Sequence, residues 1–479
     1  MRRVAPLAVA LLAAVVFTAR PTYDPDLFWH LAQGREVLSG HFVHTNLFSA
    51  ATAAYPQSYT SWGFEVVLAT LVRAVGLDGA QLAQCVLITL ACLTLYASAR
   101  VRHSSVAAMS VLLISLWVLE PRAMPRPYLI SWIGLGMCAN LAERWMRGRD
   151  VRLASFFLLI VLWANLHSEA VLGAGFVGLF GLCEWAQLSE SNRSWAARII
   201  VVGALGVVAT LVTPYGVGVW RYLAENALVP NALRIAELQP PTFATYPAFF
   251  VYLAVLAALL VSQPRAARLS EVAIAVVFAG LGLRYIRFTP LVVFATAPIV
   301  ASRLDALMRR GWDRRAVMIT AVAVMLVTAP ASPARMLRAW RMGPDAVAPA
   351  DVFSSRAVPF ARVTGLSGPL FNSMNLGGYL AWAMPEARVF QDSRLQAYPP
   401  QHFAAILGAS ESPEQWRVLV KDVDWAMVSL ARPNELSGVG KFAPEEWAPV
   451  FRDRAVEVLV RRAGRFAEIA RTLEISTSR

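Results

Sequence analysis

Val106-Ala107-Ala108-Met109-Ser110-Val111-Leu112-Leu113-Ile114-Ser115-Leu116-Trp117-Val118-Leu119 carries no charge, and an arginine stands upstream at Arg102 and downstream at Arg122. A helix needs about 20 mostly apolar residues to cross the hydrocarbon core of a bilayer. The run is a few residues short of that, so its ends borrow flanking polar and aromatic residues. It is one of several: residues 4–19, 155–166 and 316–329 are also free of charge. Over the 479 residues, 57% are hydrophobic and 16% charged, against about a quarter charged in soluble chains. Clustered apolar runs and a deficit of charge predict a polytopic α-helical membrane protein.

The expected spans are about 4–20, 80–99, 106–120, 129–145, 153–167, 169–186, 197–212, 247–263, 271–283, 287–302 and 316–330, about 11 transmembrane helices in all. Residues 153–186 would make about 51 Å of helix at 1.5 Å per residue, too long for one crossing. The polar break Asn165-Leu166-His167-Ser168-Glu169 supplies a turn, and Arg284-Tyr285-Ile286-Arg287 breaks 271–302 in the same way. The N-terminus has no small-x-small cleavage site and reads as an uncleaved anchor.

The net charge is +13, with 44 basic against 31 acidic residues, and Lys421 and Lys441 are the two lysines. In a soluble chain such a balance would suggest nucleic acid. Here arginines in short cytoplasmic loops orient the helices, and no nucleic-acid partner is expected. With Arg2 and Arg3 cytoplasmic, the inner loops collect Arg100, Arg102, Arg144, Arg147, Arg193, Arg198, Arg265, Arg268, Arg303 and Arg309, among others. Eleven crossings then leave the C-terminus outside, in the periplasm of a bacterial inner membrane. Cys85, Cys92, Cys138 and Cys183 all lie in apolar runs and form no CxxC pair, so neither a disulfide nor a zinc site is expected.

The expected organisation is a transmembrane domain over 1–331, including an outer loop at 21–60 and an interfacial helix at 61–76, followed by an extracytoplasmic α/β domain over 332–479. Reading 61–76 as a span would put every arginine-rich loop outside, hence its placement on the membrane surface. After a linker with Pro333, Pro344 and Pro349, strands are expected at 369–372, 388–391, 425–430, 449–452 and 456–460. Helices are expected at 402–407 and 413–421. That alternation is the pattern of a small soluble α/β layer fold.

The outer loop opens Tyr23-Asp24-Pro25-Asp26-Leu27-Phe28-Trp29-His30-Leu31. Two carboxylates at a membrane exit can bind a divalent cation such as Mg²⁺ or Mn²⁺ or take a proton from an attacking hydroxyl. Equally, Asp24 or Asp26 can cap the next helix. If a metal binds, Asp24 and Asp26 are its expected ligands. Arg122 with Arg126, and Arg284 with Arg287, lie at outer helix ends. Orientation does not require positive charge there, and the guanidinium fork suits a lipid-linked phosphate; snorkelling to headgroups is the plainer role. His167 and Glu169 flank a hairpin turn at membrane depth, where ionisable groups are costly. In the soluble domain, 372–382 connects one strand to the next element, with Gly377 and Gly378 permitting close backbone approach, and Asp392 and Arg394 are placed at a strand end.

These motifs resemble the GT-C class of membrane glycosyltransferases, which includes oligosaccharyltransferase catalytic subunits and protein O-mannosyltransferases. More closely they resemble bacterial members of that class. The carriers are the Asp-Pro-Asp-Leu-Phe-Trp-His loop, Trp-Ala-Asn-Leu-His at 163–167, Thr-Pro-Tyr-Gly at 213–216 and the Asn375-to-Leu380 stretch with its Phe390-x-Asp392-x-Arg394 follower. The Trp-Trp-Asp-Tyr-Gly signature of oligosaccharyltransferases is absent. The resemblance implies sugar transfer from a polyprenyl-phosphate donor to an acceptor glycan, lipid or protein, with Asp24 or Asp26 as base or metal ligand. His30, Arg122, Arg126, His167, Glu169, Arg284, Arg287, Tyr379, Asp392 and Arg394 are the expected substrate-binding residues. A transporter or flippase of a lipid-linked sugar would instead place charges along a path through the bilayer, and a non-catalytic assembly protein would keep the fold without the chemistry.

Overall fold

The computed structural model describes residues 4–18, 24–42, 44–148, 153–227, 235–263, 267–328, 349, 352–431, 433 and 436–475. Arg20, Tyr23, Arg149, Arg152, Arg234, Arg265, Pro333 and Pro344 lie outside them. The chain divides into two compact units: Met1–Arg20, Gln81–Gly216 and Asn231–Trp340 form one, and Pro21–Ala80, Val217–Pro230 and Arg341–Arg479 form the other.

The first unit is helical. Its elements are α1 (Val4–Thr18), most of α4 (Asp78–Arg100), α5 (Ser105–Leu119), α6 (Tyr128–Met146), α7 (Leu153–Leu166), α8 (Ala170–Gln187), α9 (Glu190–Ala209), α11 (Pro247–Val261), α12 (Leu269–Arg284), α13 (Thr289–Arg309) and α14 (Arg314–Thr328). Over the described residues, each stretch read as a span is mostly helix. Among the described residues, four helical stretches are long and apolar enough to cross a membrane: Asp78–Arg100, Ser105–Arg122, Ala170–Gln187 and Ile286–Arg309. Val4–Thr18, Ala154–Leu166 and Pro247–Val261 are shorter apolar helices. Large aliphatic side chains such as Leu158, Leu162, Val276 and Ile319 are exposed on the outside of this unit. Helices apolar on every side are membrane spans or core elements, and outward-facing leucines fit a membrane protein.

Inside the unit, α13 is the central element. Every side chain from Thr289 to Ala301 is buried, and the helix packs against α5, α6, α11, α12 and α14. Tyr252 and Thr296 satisfy each other's hydroxyls there at 2.8 Å, as buried polar groups must. Trp163 is held between α6 and α8 because both present glycine: a Cβ at Gly134 or Gly173 would come within 2.4 Å of its ring.

The second unit holds α2 (Asp26–Leu38), α3 (Trp62–Val75), α10 (Gly218–Ala227) and the C-terminal layer. That layer is a four-stranded sheet of β1 (Leu370–Asn372), β2 (Trp425–Ser429), β3 (Trp447–Arg452) and β4 (Val456–Arg461), ordered β1-β2-β4-β3. β1 and β2 are parallel, and the β2–β4 and β3–β4 pairs are antiparallel. Around it lie α15 (Ala357–Val363), α16 (Met374–Ala383), α17 (Pro400–Ala409), α18 (Pro413–Leu419) and α19 (Ala467–Leu473).

Two expectations need correction. Residues 388–391 are not a strand. Val389 makes one isolated bridge with Ser49, and the Asn372 side chain takes the place of a ladder partner, accepting from Phe390 N at 2.8 Å and donating to Gln391 O at 2.7 Å. Asp392 and Arg394 therefore follow an irregular segment. Residues 374–383 are helix rather than connection, and their glycines serve packing. A Cβ at Gly377 would lie 2.1 Å from Gln391 O, and one at Gly378 2.7 Å from Pro25 O.

The α2–α3 contact has the same logic. A Cβ at Gly34 would sit 2.1 Å from the Glu65 carbonyl oxygen, a backbone atom that cannot swing aside. Gly34→Ala is expected to push the two helices apart and lower stability by about 1–3 kcal/mol, the range for overpacking. Thermal unfolding of the detergent-solubilised variant checks this; an unchanged midpoint would refute the close approach.

Candidate functional site

The acidic loop is built around the start of α2. Asp24 Oδ1 accepts from Asp26 N at 3.0 Å, and Pro25 between them has φ −64°. An acceptor two residues upstream of a helical N–H, with proline first, is an N-cap arrangement. Asp24 is fully buried. Asp26, one step into the helix, accepts a short hydrogen bond from Ser393 Oγ. The two carboxylates therefore have different partners although one residue separates them.

His30, one turn further along α2, lies against Trp29 with ring centroids 3.6 Å apart and places Nδ1 3.0 Å from Glu65 Oε1. With its amide turned so that the nitrogen faces Glu65, the orientation that satisfies both neighbours, Gln33 continues the chain, donating to Glu65 Oε1 at 2.7 Å and accepting from Gln57 Nε2 at 2.9 Å. Burial pushes the Glu65 carboxyl well above the usual carboxylate range, with the Arg394 guanidinium opposing it. On its other side α2 meets α16: Phe28 packs edge-on against Phe353 and Tyr379. Arg35 donates to the carbonyls of Trp382 and Ala381 at 2.9 and 3.0 Å, neutralising a helix C-terminus. Tyr379 donates to Ser354 O at 3.4 Å.

Asp392 and Arg394 form a buried knot in the same unit. Arg394 Nε and Nη2 reach Asp392 Oδ1 and Oδ2 at 2.9 and 2.5 Å. Nη1 donates to Gln57 Oε1 and Nη2 to Asn46 Oδ1, both at 3.0 Å. Tyr398 donates to Asp392 Oδ2 at 2.9 Å, and the guanidinium lies 4.7 Å from the Phe48 ring centroid. Both side chains are inaccessible to solvent. The pair joins the 44–57 loop to the segment after Gln391, so it also fixes where Ser393 meets Asp26.

The helical unit has its own charged cluster. Arg122 Nη2 is 2.8 Å and Arg126 Nη1 3.5 Å from Glu237 Oε2. Arg122 also lies over the Tyr128 ring, 4.6 Å from its centroid. Burial alone would raise the Glu237 carboxyl, yet Arg122, Arg126 and Arg287 hold it down to about 2. This contact therefore contributes stability above the ordinary carboxylate range and loses it as pH falls toward 2. Arg287 Nη2 is 3.0 Å from Glu169 Oε1, and His167 Nδ1 is 3.6 Å from Glu169 Oε2 and 2.7 Å from Ser131 Oγ. Trp163 Nε1 donates to the same Ser131 Oγ at 3.2 Å. Asn165 Nδ2 donates to Val212 O at 2.7 Å, and Thr213 Oγ1 accepts from the N–H of Tyr215 and Gly216. The motifs at 163–167 and 213–216 thus meet in one turn region.

The geometry brings Arg122, Arg126, Arg287, His167 and Glu169 into one network of charges. Arg284 is exposed and lies over Tyr285, 4.7 Å from its centroid. Asp24, Asp26, His30, Tyr379, Asp392 and Arg394 belong to the other unit. Sequence reasoning did not single out Glu237, Ser131, Ser393, Asn46, Gln57 or Tyr398. Glu65 did leave a signal, as one of two charges, with Arg73, that interrupt an apolar helix. Among the described residues, no three or more His, Cys, Asp or Glu side chains group as a metal site. The Asp24/Asp26 pair supplies the hard oxygen donors that Mg²⁺ takes from one or two carboxylates plus substrate phosphates.

No protein-family model matches the chain, and no curated protein does. Solved structures do. The archaeal oligosaccharyltransferase AglB from Archaeoglobus fulgidus, in complex with an inhibitory peptide and a dolichol-phosphate, matches with a TM-score of 0.63. Identity is 12%, and the match covers 89% of this chain and 69% of that one. The chain has a GT-C-like fold. The Archaeoglobus fulgidus oligosaccharyltransferase in its apo form shares that fold at TM-score 0.58 and 13% identity, over 89% of this chain and 69% of that one. Its complex with Zn and sulfate does so at TM-score 0.55 and 12% identity, over 89% of this chain and 68% of that one. The likeness in fold agrees with the resemblance of the sequence to GT-C-class proteins.

Proposed function

We propose that the chain is a membrane glycosyltransferase that moves a sugar from a polyprenyl-phosphate-linked donor to an acceptor glycan, lipid or protein. The reaction belongs at the periplasmic face of a bacterial inner membrane, with the N-terminus cytoplasmic and the α/β layer outside. The observation that carries this reading is the oligosaccharyltransferase-like fold, together with an acidic pair at the start of α2. In the proposed reaction an acceptor oxygen attacks the anomeric carbon while the bond from that carbon to the donor phosphate breaks. Asp24 takes the proton released by the acceptor, and configuration inverts. Asp26 acts differently, since its hydrogen bond from Ser393 fixes the start of α2 against the 392–394 segment. A divalent cation, Mg²⁺ or Mn²⁺, would be held by Asp24 and Asp26 and would supply positive charge to the departing phosphate. Within the helical unit by itself, the arginine cluster is proposed to bind a polyprenyl phosphate, with Arg126 and Arg287 as forks and Glu237 and Glu169 setting their positions.

The reading is tested by incubating the purified full chain with a labelled polyprenyl-phosphate sugar and an envelope extract as acceptor source, then following label into the extract. No transfer with any hexosyl or pentosyl donor would leave the fold without this function. The phosphate assignment has its own readout. A charge-assisted hydrogen bond is worth about 1.5–3 kcal/mol, so Arg126→Gln is expected to weaken polyprenyl-phosphate binding about tenfold or more. Arg284→Gln, removing an exposed guanidinium stacked on Tyr285, should weaken it less. Equal binding by wild type and both variants would reduce these residues to interfacial anchors.

A further inference from the structure

The N-terminal half of α7 and the 194–205 stretch of α9 enclose a groove of about 540 Å³ on the outside of the helical unit, lined among others by Phe156 and Phe157 of α7 and by Ser194, Arg198, Val201 and Leu205 of α9. The α9 positions follow one another at spacings of four, three and four residues, so they share one helix face. From Ser194 to Leu205 the face runs about 16 Å at 1.5 Å per residue. That is close to half of the roughly 30 Å hydrocarbon core. Phe157, Val201 and Leu205 are exposed, and a groove with such walls is unfavourable in water. At its polar end Arg198 is exposed and makes no hydrogen bond or ion pair among the described residues. Side chains on a helix lean toward its N-terminus, which directs the Arg198 guanidinium toward the level of the Ser194 hydroxyl.

We propose that this groove binds one anionic phospholipid of the adjacent leaflet, its acyl chain along Phe157, Val201 and Leu205 and its phosphate against Arg198 and Ser194. The inference rests on the membrane reading of the helices and is independent of the transfer chemistry. The apolar walls select a hydrocarbon chain, their length selects a single leaflet, and the unpaired guanidinium selects negative over zwitterionic headgroups. One arginine near an anionic surface favours it by an amount equivalent to about fivefold.

The test is native mass spectrometry of the full chain in detergent micelles, titrated with phosphatidylglycerol and with phosphatidylcholine of the same acyl chains. Wild type is expected to retain phosphatidylglycerol about fivefold better. Arg198→Gln should abolish that preference and Arg198→Lys should keep it, and Val201→Trp, which fills the groove, should reduce retention of both lipids. These side chains face outward, so thermal unfolding of the variants should match wild type and guards against misfolding. Loss of the preference in Arg198→Gln alone supports the site. A wild type without preference, an Arg198→Gln protein that keeps it, or a Val201→Trp protein that retains both lipids in full would overturn it.

Discussion

Asp24→Asn is expected to abolish sugar transfer while leaving the protein folded. The asparagine amide oxygen can still accept from Asp26 N, the contact that Asp24 Oδ1 makes at 3.0 Å, so the start of α2 keeps its cap. Asparagine is among the best N-cap residues, and the stability cost is therefore about 1 kcal/mol or less. What the substitution removes is the capacity to take a proton and the negative charge a cation needs. Loss of a general base typically costs about 10²–10⁴-fold in rate. Asp26→Asn is the contrasting variant. Its amide oxygen still accepts from Ser393 Oγ and remains a neutral oxygen donor to a cation, so transfer should fall by less than in Asp24→Asn. Transfer by the two purified variants, with thermal unfolding as the folding control, decides between them. An active Asp24→Asn protein would sink the proposed mechanism, and an inactive Asp26→Asn beside it would transfer the base role to Asp26.

The second large effect belongs to Arg394. Arg394→Met is expected to destabilise the protein by about 3–5 kcal/mol, the cost of leaving one member of a buried ion pair uncompensated. The variant strands the Asp392 carboxylate and removes the donors to Gln57 and Asn46. Replacing both partners, as Asp392→Leu with Arg394→Met, should recover a substantial part of the loss, because no unpaired charge then remains. Unfolding of wild type, single and double variants completes a double-mutant cycle. A residue acting only as a substrate contact would leave all three equally stable and change binding alone. If Arg394→Met is as stable as wild type, the knot does not hold the 44–57 loop in place.

Hydropathy alone made the helical unit legible. A bilayer demands that each crossing satisfy its own backbone hydrogen bonds, so a charge-free run such as 106–119 has few structures open to it, and over the described residues each stretch read as a span is mostly helix. Most of the sheet could also be read, because 425–429 is a short charge-free run and 456–461 holds three valines and a leucine in six residues. The misreadings fall where tertiary contacts replaced local preference. Residues 388–391 look like a strand, yet the Asn372 side chain takes up their polar groups. Residues 374–383 contain two adjacent glycines and read as a connection, yet they are helix, and the glycines are there because Gln391 and Pro25 approach too closely for any side chain.

The same division holds for the candidate site. Residue types and spacing alone marked the Asp24-Pro25-Asp26 loop, the arginines at 122, 126, 284 and 287 and the Asp392/Arg394 pair as places where charge sits beside apolar segments. They could not assign partners, because electrostatic and hydrogen-bonded pairing acts through space over a few ångströms and leaves no trace in sequence separation. Tertiary structure decided that Asp26 meets Ser393 across 367 positions, that Glu237 sits among Arg122, Arg126 and Arg287, and that His30 faces a buried Glu65. Periodicity and hydropathy report how each segment meets its solvent; only the packed chain determines which charge meets which.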